Sequence, residues 1–164
     1  MKKIELKDYQ ENFSYHMAKD AALVTAGSIN NFNTMTIGWA HLGIVWGKET
    51  LVVYVRPSRY TYKFMEENDY FTVSFFDKTH KKALGFLGTK SGRDLDKVKE
   101  VNFHPIEVNN SVTFQEARVT FVLEKIYHQD LDSSVINEDI KNKYYGDNCF
   151  HRIYIGEIKE IIMH

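Results

Sequence analysis

Two long segments of alternating hydrophobicity near the end of the chain constrain its fold more than any other feature. Over residues 112–127, apolar and polar side chains take turns, so that Val119 and Phe121 share one face. Residues 152–162 alternate in the same way. A period of two is typical of a β-strand with one buried face. We therefore predict two long strands in this part of the chain.

Shorter signals for strands and helices precede or separate these two segments. Four more strands are predicted at residues 22–28, 35–40, 50–55 and 70–76, and three short helices at residues 59–68, 81–87 and 95–101. Ser58, Thr79 and Asp94 are the predicted N-caps. Because strands and helices do not alternate along the chain, the order favours a mainly β, antiparallel barrel with peripheral helices over a doubly wound parallel sheet. No linker or repeat interrupts residues 1–164, so we expect a single domain.

Composition and charge narrow the classes of function. The 21 basic and 22 acidic residues give a net charge of -1, which provides no reason to expect a nucleic-acid partner. No apolar signal-peptide core follows the N-terminus, and no apolar run approaches the ~20 residues of a membrane span. Cys149 is the only cysteine, which excludes an internal disulfide and a cysteine zinc site. We expect a cytoplasmic protein with no membrane partner, and no metal, since the histidines lack ligand spacing.

The segment from Asn33 to Trp39 combines polar side chains with an aromatic plane. Asn33 and Thr36 supply donors and acceptors, and Trp39 supplies a flat apolar surface. A planar heteroaromatic ligand with polar edges needs this combination. A hairpin turn followed by a core strand with a buried Trp explains the same residues, and chemistry alone favours that simpler interpretation.

A second segment, residues 55–61, is suited to bind an anion. Two arginines, Arg56 and Arg59, and two hydroxyl groups, on Ser58 and Thr61, surround the predicted start of a helix. Free backbone N–H groups and the positive end of the helix dipole favour an anion there, and the guanidinium fork matches phosphate oxygens. The alternative is a simple helix cap with solvated arginines. Because cap, arginines and hydroxyls coincide, a phosphate site is the preferred interpretation.

A third segment, residues 88–97, is a basic loop between two glycines. It departs from the phosphate-binding pattern GxxxxGK[ST], because Thr89 stands where the second glycine is required. Lys90, Arg93 or Lys97 could still bring a cation close to a bound anion. A flexible charged connector is the favoured interpretation of this loop taken by itself. The chain also contains no GxGxxG, and therefore no Rossmann fingerprint.

Six segments occur in the order that is found in one known family. They are residues 33–39, 46–48, 55–62, 71–76, 88–97 and 151–158. Each segment is weak alone, but the ordered set resembles the flavin reductase-like, flavoredoxin-type family of FMN-binding proteins. The resemblance implies an FMN-binding split β-barrel, antiparallel and six-stranded with a Greek-key-like core. It also implies a homodimer with FMN at the interface between the subunits.

The resemblance further implies roles for individual residues. Asn33, Met35, Thr36, Ile37 and Trp39 would line the isoalloxazine ring, Arg56, Ser58, Tyr60 and Thr61 would hold the phosphate or ribityl chain, and Ser91, Gly92 and Lys97 would come from the nearby loop. Lys97 is the candidate cation for the electron-rich edge of the flavin. His151 would lie near the flavin, where a neutral imidazole can hydrogen-bond a substrate or relay a proton. Pairing with a carboxylate at a strand end is the alternative for His151.

Two classes of function are compatible with such a site. In an oxidoreductase, NADH or NADPH would reduce FMN that is bound as a prosthetic group or as a substrate, and small-molecule redox substrates would follow. In a non-enzymatic electron carrier, the protein would hold FMN tightly and exchange electrons with a redox partner protein. A split barrel that has lost its flavin is a third possibility, and the intact segment 56–61 makes it the least favoured.

Overall fold

Ten strands and five α-helices form the chain in a computed structural model that describes residues 1–164. The strands are β1 (Lys2–Ile4), β2 (Ala22–Ser28), β3 (Asn31–Ile37), β4 (Ala40–Val45), β5 (Lys48–Val55), β6 (Tyr70–Phe76), β7 (Pro105–Val108), β8 (Ser111–Phe114), β9 (Ala117–Asp130) and β10 (Arg152–Met163). The helices are α1 (Phe13–Lys19), α2 (Tyr60–Glu67), α3 (Lys81–Thr89), α4 (Lys97–Glu100) and α5 (Glu138–Tyr144). The mainly β class is therefore confirmed. None of the helices is long and apolar enough to cross a membrane.

An antiparallel sheet contains eight of the strands. Its order is β3-β2-β6-β9-β10-β5-β4, and β1 pairs with the last residues of β10. β7 and β8 form a separate hairpin. The resemblance implied six strands, and the predicted strands correspond to β2, β3, β5, β6, β9 and β10. β1 and β4 were missed because β1 has only three residues and β4 is mostly exposed, so neither shows a clear alternation.

The sheet curls so that both of its ends contribute to one core. Met35 and Ile37 on β3 pack in the same buried cluster as Val53 and Val55 on β5, although no backbone ladder joins these two strands. Phe121, from the middle of the sheet, lies in that cluster as well. A sheet closed by side chains and left open between two strands is a split barrel. The predicted antiparallel barrel is confirmed.

One predicted long strand is in fact two. The segment of residues 112–127 contains a turn, which separates β8 from β9. β8 pairs with β7, whereas β9 lies between β6 and β10. Gln115 and Glu116, two consecutive polar residues, form the turn, and the buried apolar positions shift from Phe114 before it to Ala117 after it, a break in the alternation that the prediction overlooked. The prediction for residues 152–162 is confirmed by β10.

The predicted helices are present, but their N-termini differ from the predictions. None of the predicted caps, Ser58, Thr79 and Asp94, occupies the N-cap position. The N-cap position of α2 is Arg59, and no side chain caps this helix. A 3-10 turn precedes α3, and Asp96 caps the shortened α4 by accepting a hydrogen bond from the Lys99 N–H. The uncapped start of α2 leaves backbone donors without an intrahelical partner.

Gly156 on β10 tests the packing of the barrel, because two core side chains come close to its backbone. A Cβ at this position would lie 2.8 Å from Leu123 Cβ and 2.8 Å from the Phe71 ring. We expect Gly156→Ala to lower the free energy of unfolding by about 1–3 kcal/mol through overpacking. Chemical denaturation measures the change. Gly43→Ala on β4 is the control, since a Cβ there meets no atom within 4 Å; equal losses would contradict the packing argument.

Candidate functional site

Three separate parts of the chain meet around a small cavity, which we call the loop cavity. It has a volume of about 110 Å³ and lies between β3, the start of α2 and the loop after α3. Eight predicted site residues line it: Asn33, Met35, Ser58, Tyr60, Thr61, Ser91, Gly92 and Lys97. The basic loop is therefore part of a concave site and not an isolated connector.

A second cavity adjoins the loop cavity, and we call it the tryptophan cavity. Its volume is about 170 Å³, and Met35 and Arg59 line both cavities. The remaining predicted site residues lie here: Thr36, Ile37, Trp39, Arg56 and His151. The structure thus brings all of the predicted residues to one of two neighbouring cavities.

A buried hydrogen bond joins β3 to α2 at the floor of the loop cavity. Asn33 Nδ2 donates to Thr61 Oγ1 at 2.7 Å, and both side chains are buried. Gly92 approaches this pair so closely that a Cβ would collide with Asn33 Oδ1 and lie 3.2 Å from the Tyr60 ring. The backbone of the loop can therefore reach the floor only with glycine at this position.

Two arginines, Arg59 and Arg93, lie beside the start of α2, although neither was among the predicted flavin-binding residues. The Arg59 guanidinium reaches the Gly88 carbonyl at 3.3 Å, and the Arg93 guanidinium reaches the Ser58 carbonyl at 3.5 Å while stacking 5.0 Å from the Tyr60 ring. These contacts are long and leave most of their N–H donors free. The loop cavity therefore combines two guanidinium groups with an uncapped helix. An N-cap at Arg59 would have placed this guanidinium at the start of the helix, but the sequence predicted Ser58 as the N-cap.

Lys97 lines the loop cavity from a buried position and is engaged by the backbone. Its side chain is buried, and Nζ donates to the Leu87 carbonyl at 2.8 Å and to the Lys90 carbonyl at 3.0 Å. Burial, with a smaller effect of the Arg59 charge, lowers the pKa of Lys97 to about 8. The ammonium group holds the loop in place, so the expected cation for a flavin edge is already engaged by backbone oxygens.

Arg56 lies in the tryptophan cavity, where its guanidinium fastens the connection between α5 and β10. Nη1 contacts the two Asp147 carboxylate oxygens at 2.9 and 3.1 Å, and Nη2 donates to the Tyr144 carbonyl at 2.6 Å. The same connection approaches α2 where Cys149 Sγ donates to Ser58 Oγ at 3.5 Å. Arg56 therefore has most of its donors engaged within the chain, whereas Arg59 makes one long contact, to the Gly88 carbonyl.

Trp39 is not the buried core residue of the simpler interpretation. It follows β3, and 39% of its surface is exposed. Its ring centroid lies 4.7 Å from that of His151 and 5.3 Å from that of Tyr144. The three rings form an accessible aromatic wall beside the polar end of β3.

His151 pairs with a tyrosine and not with a carboxylate, which contradicts the alternative considered for it. Its Nδ1 lies 2.9 Å from the Tyr145 hydroxyl. Burial lowers the pKa of His151 to about 4, and the positive charges of Arg56 and Arg59 act in the same direction. The imidazole is therefore neutral at physiological pH.

A histidine titration tests this electrostatic description. We expect the His151 resonance, assigned with a His151→Gln variant, to titrate near pH 4 and to be neutral above it. Arg56→Gln should raise the midpoint because it removes a nearby positive charge, while burial keeps the midpoint below the ordinary value of 6.5. Proton NMR titrations between about pH 3 and about pH 8 measure both midpoints. A wild-type midpoint at 6.5 would contradict the proposed burial.

The fold and these cavities define an antiparallel split β-barrel with a basic, hydroxyl-lined cleft beside an aromatic wall. The chain belongs to the flavin reductase like domain family, which it matches over residues 14–164. The resemblance drawn from the ordered segments is thereby confirmed. A search of curated proteins found no match.

Solved structures share this fold. Flavoredoxin from Methanosarcina acetivorans is 20% identical with a TM-score of 0.69, covering 88% of this chain and 68% of its own. Flavoredoxin of Desulfovibrio vulgaris (Miyazaki F) is 18% identical with a TM-score of 0.69, and the match covers 100% of this chain and 77% of that protein. The styrene monooxygenase flavin reductase from Pseudomonas putida S12 is 14% identical with a TM-score of 0.63, covering 88% and 79%. At these identities the likeness establishes the fold alone.

Proposed function

We propose that the protein binds FMN across the loop and tryptophan cavities and acts as an NAD(P)H-dependent flavin oxidoreductase. The observation that carries the proposal is the uncapped N-terminus of α2, which faces a cavity flanked by Arg59 and Arg93. Membership of the flavin reductase like domain family supports a flavin ligand. Several neighbours in structure are flavoredoxins or flavin reductases, which agrees with both kinds of flavin chemistry.

The donors of the loop cavity fit a phosphate group. Backbone N–H groups at the start of α2 and the Arg59 and Arg93 guanidinium groups supply positive charge and hydrogen bonds. Ser58 and Ser91, from two different segments that line the same cavity, add hydroxyl groups. Tyr60 and Thr61, on the first turn of α2, complete the set that would hold the phosphate and ribityl chain.

The tryptophan cavity fits the ring system. Residues 35–39 would line the isoalloxazine there, with Met35, Thr36 and Ile37 offering backbone groups to its polar edge and Trp39 an apolar surface, and Asn33 would contact the ring from the loop cavity. When bound, FMN supplies the redox chemistry by accepting two electrons and releasing them to a second substrate. Ser91 and Gly92 would shape the neighbouring loop, which Lys97 holds from behind.

His151 is the proposed catalytic residue. Its Nδ1 is engaged by the Tyr145 hydroxyl, whereas Nε2 has no partner within the chain. A neutral imidazole in this position can hydrogen-bond a substrate or transfer a proton at Nε2. Its low pKa makes it a poor store of a proton at neutral pH, so the hydrogen-bonding role is favoured.

An electron carrier that keeps FMN bound and serves a redox partner protein is the second candidate. Two arginines beside an uncapped helix favour tight retention of a phosphate, whereas a flavin substrate must leave after each turnover. Retention of FMN through gel filtration would therefore favour the prosthetic-group form. The two candidates differ in whether a nicotinamide reduces the bound flavin.

Reduction by nicotinamides distinguishes the two candidates. Purified protein with FMN should be yellow, and anaerobic NADH or NADPH should bleach it within seconds if it is an oxidoreductase. In His151→Gln, bleaching should slow by about 100-fold with little change in FMN affinity. Stopped-flow absorbance measures the rates. Persistent yellow colour with both donors, and rapid bleaching by a reduced ferredoxin-like protein, would favour the carrier; no FMN uptake would exclude both.

Paired substitutions locate the phosphate. Arg59→Gln should weaken FMN by about 10- to 100-fold and riboflavin much less, because a charged hydrogen bond to phosphate is lost. Arg56→Gln is the matched control and should affect both ligands equally, since Asp147 already holds that guanidinium. Flavin fluorescence quenching measures both affinities. If only Arg56→Gln discriminated FMN from riboflavin, the phosphate would belong to Arg56.

A homodimer with FMN at the subunit interface remains part of the proposal. Ile44 and Trp46 are 64% and 66% exposed, and Tyr127 packs 6.0 Å from Trp46, which together make an apolar surface suited to a second copy.

We further infer that residues 1–164 act as one domain around the shared core. The unpaired Cys149 is compatible with a cytoplasmic location.

A further inference from the structure

We propose a second ligand site in this protein, for a small aromatic anion, in a cavity that we call the basic cavity. The cavity has a volume of about 270 Å³ and lies between the end of α1, the end of β6 and the start of α3. It shares no residue with the loop cavity or the tryptophan cavity. The proposal therefore goes beyond flavin binding and does not depend on it.

Three lysines give the basic cavity its charge. Lys19, Lys78 and Lys81 line it, and none of their ammonium groups lies in an ion pair. Lys78 and Lys81 come from consecutive turns, while Lys19 comes from the end of α1, a separate element. Like charges that converge on one concave surface raise the local potential, which an anion relieves.

Two acidic residues also line the basic cavity, but both are engaged elsewhere. Asp20 Oδ2 lies 2.7 Å from His16 Nδ1. Asp77 Oδ1 lies 3.5 Å from Arg118 Nε. Neither carboxylate lies within 4.0 Å of a lysine of the cavity, so the three ammonium groups remain available to a ligand.

The cavity also has an apolar floor and an aromatic rim, which select the rest of the ligand. Phe76 and Leu84 are 2% and 4% exposed and form the floor. The Tyr15 ring is 48% exposed at the rim. An apolar cavity of about 150 Å³ can accommodate benzene, so this larger one has room for a ring with a charged substituent. The chemistry fits an aromatic ring that carries a phosphate or carboxylate group.

The basic cavity is separated from the flavin cavities by α3. The Leu84 side chain faces the basic cavity, and its carbonyl accepts a hydrogen bond from Thr36 Oγ1, at 2.6 Å, on the other side. Thr36 lines the tryptophan cavity. Because the two sites use different residues, the aromatic anion and FMN can bind at the same time, and the anion can be studied with excess FMN present.

Phenyl phosphate is the probe for this site. We expect saturable chemical-shift changes in amide NMR spectra of the FMN-saturated protein, clustered at residues 15–20 and 76–84. Replacing two of the lysines, in Lys78→Gln/Lys81→Gln, should weaken binding by about tenfold. Lys82→Gln/Lys99→Gln is the matched control, since it removes the same charge from exposed positions outside the cavity. This control should stay within about twofold of the wild type.

Other outcomes would overturn the proposal. They are the absence of saturable shifts, shifts confined to residues 58–61 and 88–93, and equal weakening in both double variants. Inorganic phosphate that binds as tightly as phenyl phosphate would overturn the aromatic part. If the protein takes up no FMN, the same titration is run without it. Flavin absorbance measures FMN binding separately, so the two proposals fail independently.

Discussion

The barrel depends on β10, which joins its two halves. β10 pairs with β9 along its length, with β5 through its first half and with β1 through its last residues. Without it, β3, β2, β6 and β9 would form one sheet, and β5 and β4 another. The strand also reaches α2: Arg152 and Tyr154 both donate to the Glu66 carboxylate, at 2.9 and 2.5 Å. The strand that closes the sheet therefore also sets the position of the helix that begins at the candidate site.

The candidate site is a consequence of this closure. β3 and β5 face each other without a ladder, so polar side chains can occupy the gap that a closed barrel would fill with backbone hydrogen bonds. Residues of β3, α2, the loop after α3 and the start of β10 meet there. Lys97 donates hydrogen bonds to backbone carbonyls at the end of α3, and Gly92 lets the loop approach Asn33. The Arg59 and Arg93 guanidinium groups keep free donors and lie beside the uncapped start of α2.

Much of the fold follows from local chemistry, and so do its exceptions. Alternation located β10, in which buried and less buried residues take turns over part of its length, whereas β2 is buried on both faces and was located by its short apolar sequence. The predicted alternating segment joined β8 to β9 because it included the two polar turn residues, Gln115 and Glu116. The N-caps were wrong because several residues in a row could cap, and local sequence does not say which backbone N–H groups stay free. The exposure of Trp39 depends on its packing against His151 and Tyr144, which are distant in sequence.

The sequence by itself determined the class of fold, the family and the segments that form the cleft. These depend on periodicity and on residue types in a fixed order, which can be read without coordinates. Tertiary structure alone decided which cations are held by partners within the chain and which keep free donors for a ligand. Arg56 is held by Asp147 and the Tyr144 carbonyl, Lys97 by two carbonyls, and Arg59 keeps free donors. The partners of Arg56 lie about 90 residues further along the chain. No local sequence pattern can predict such a contact, because an ion pair depends on distance in space.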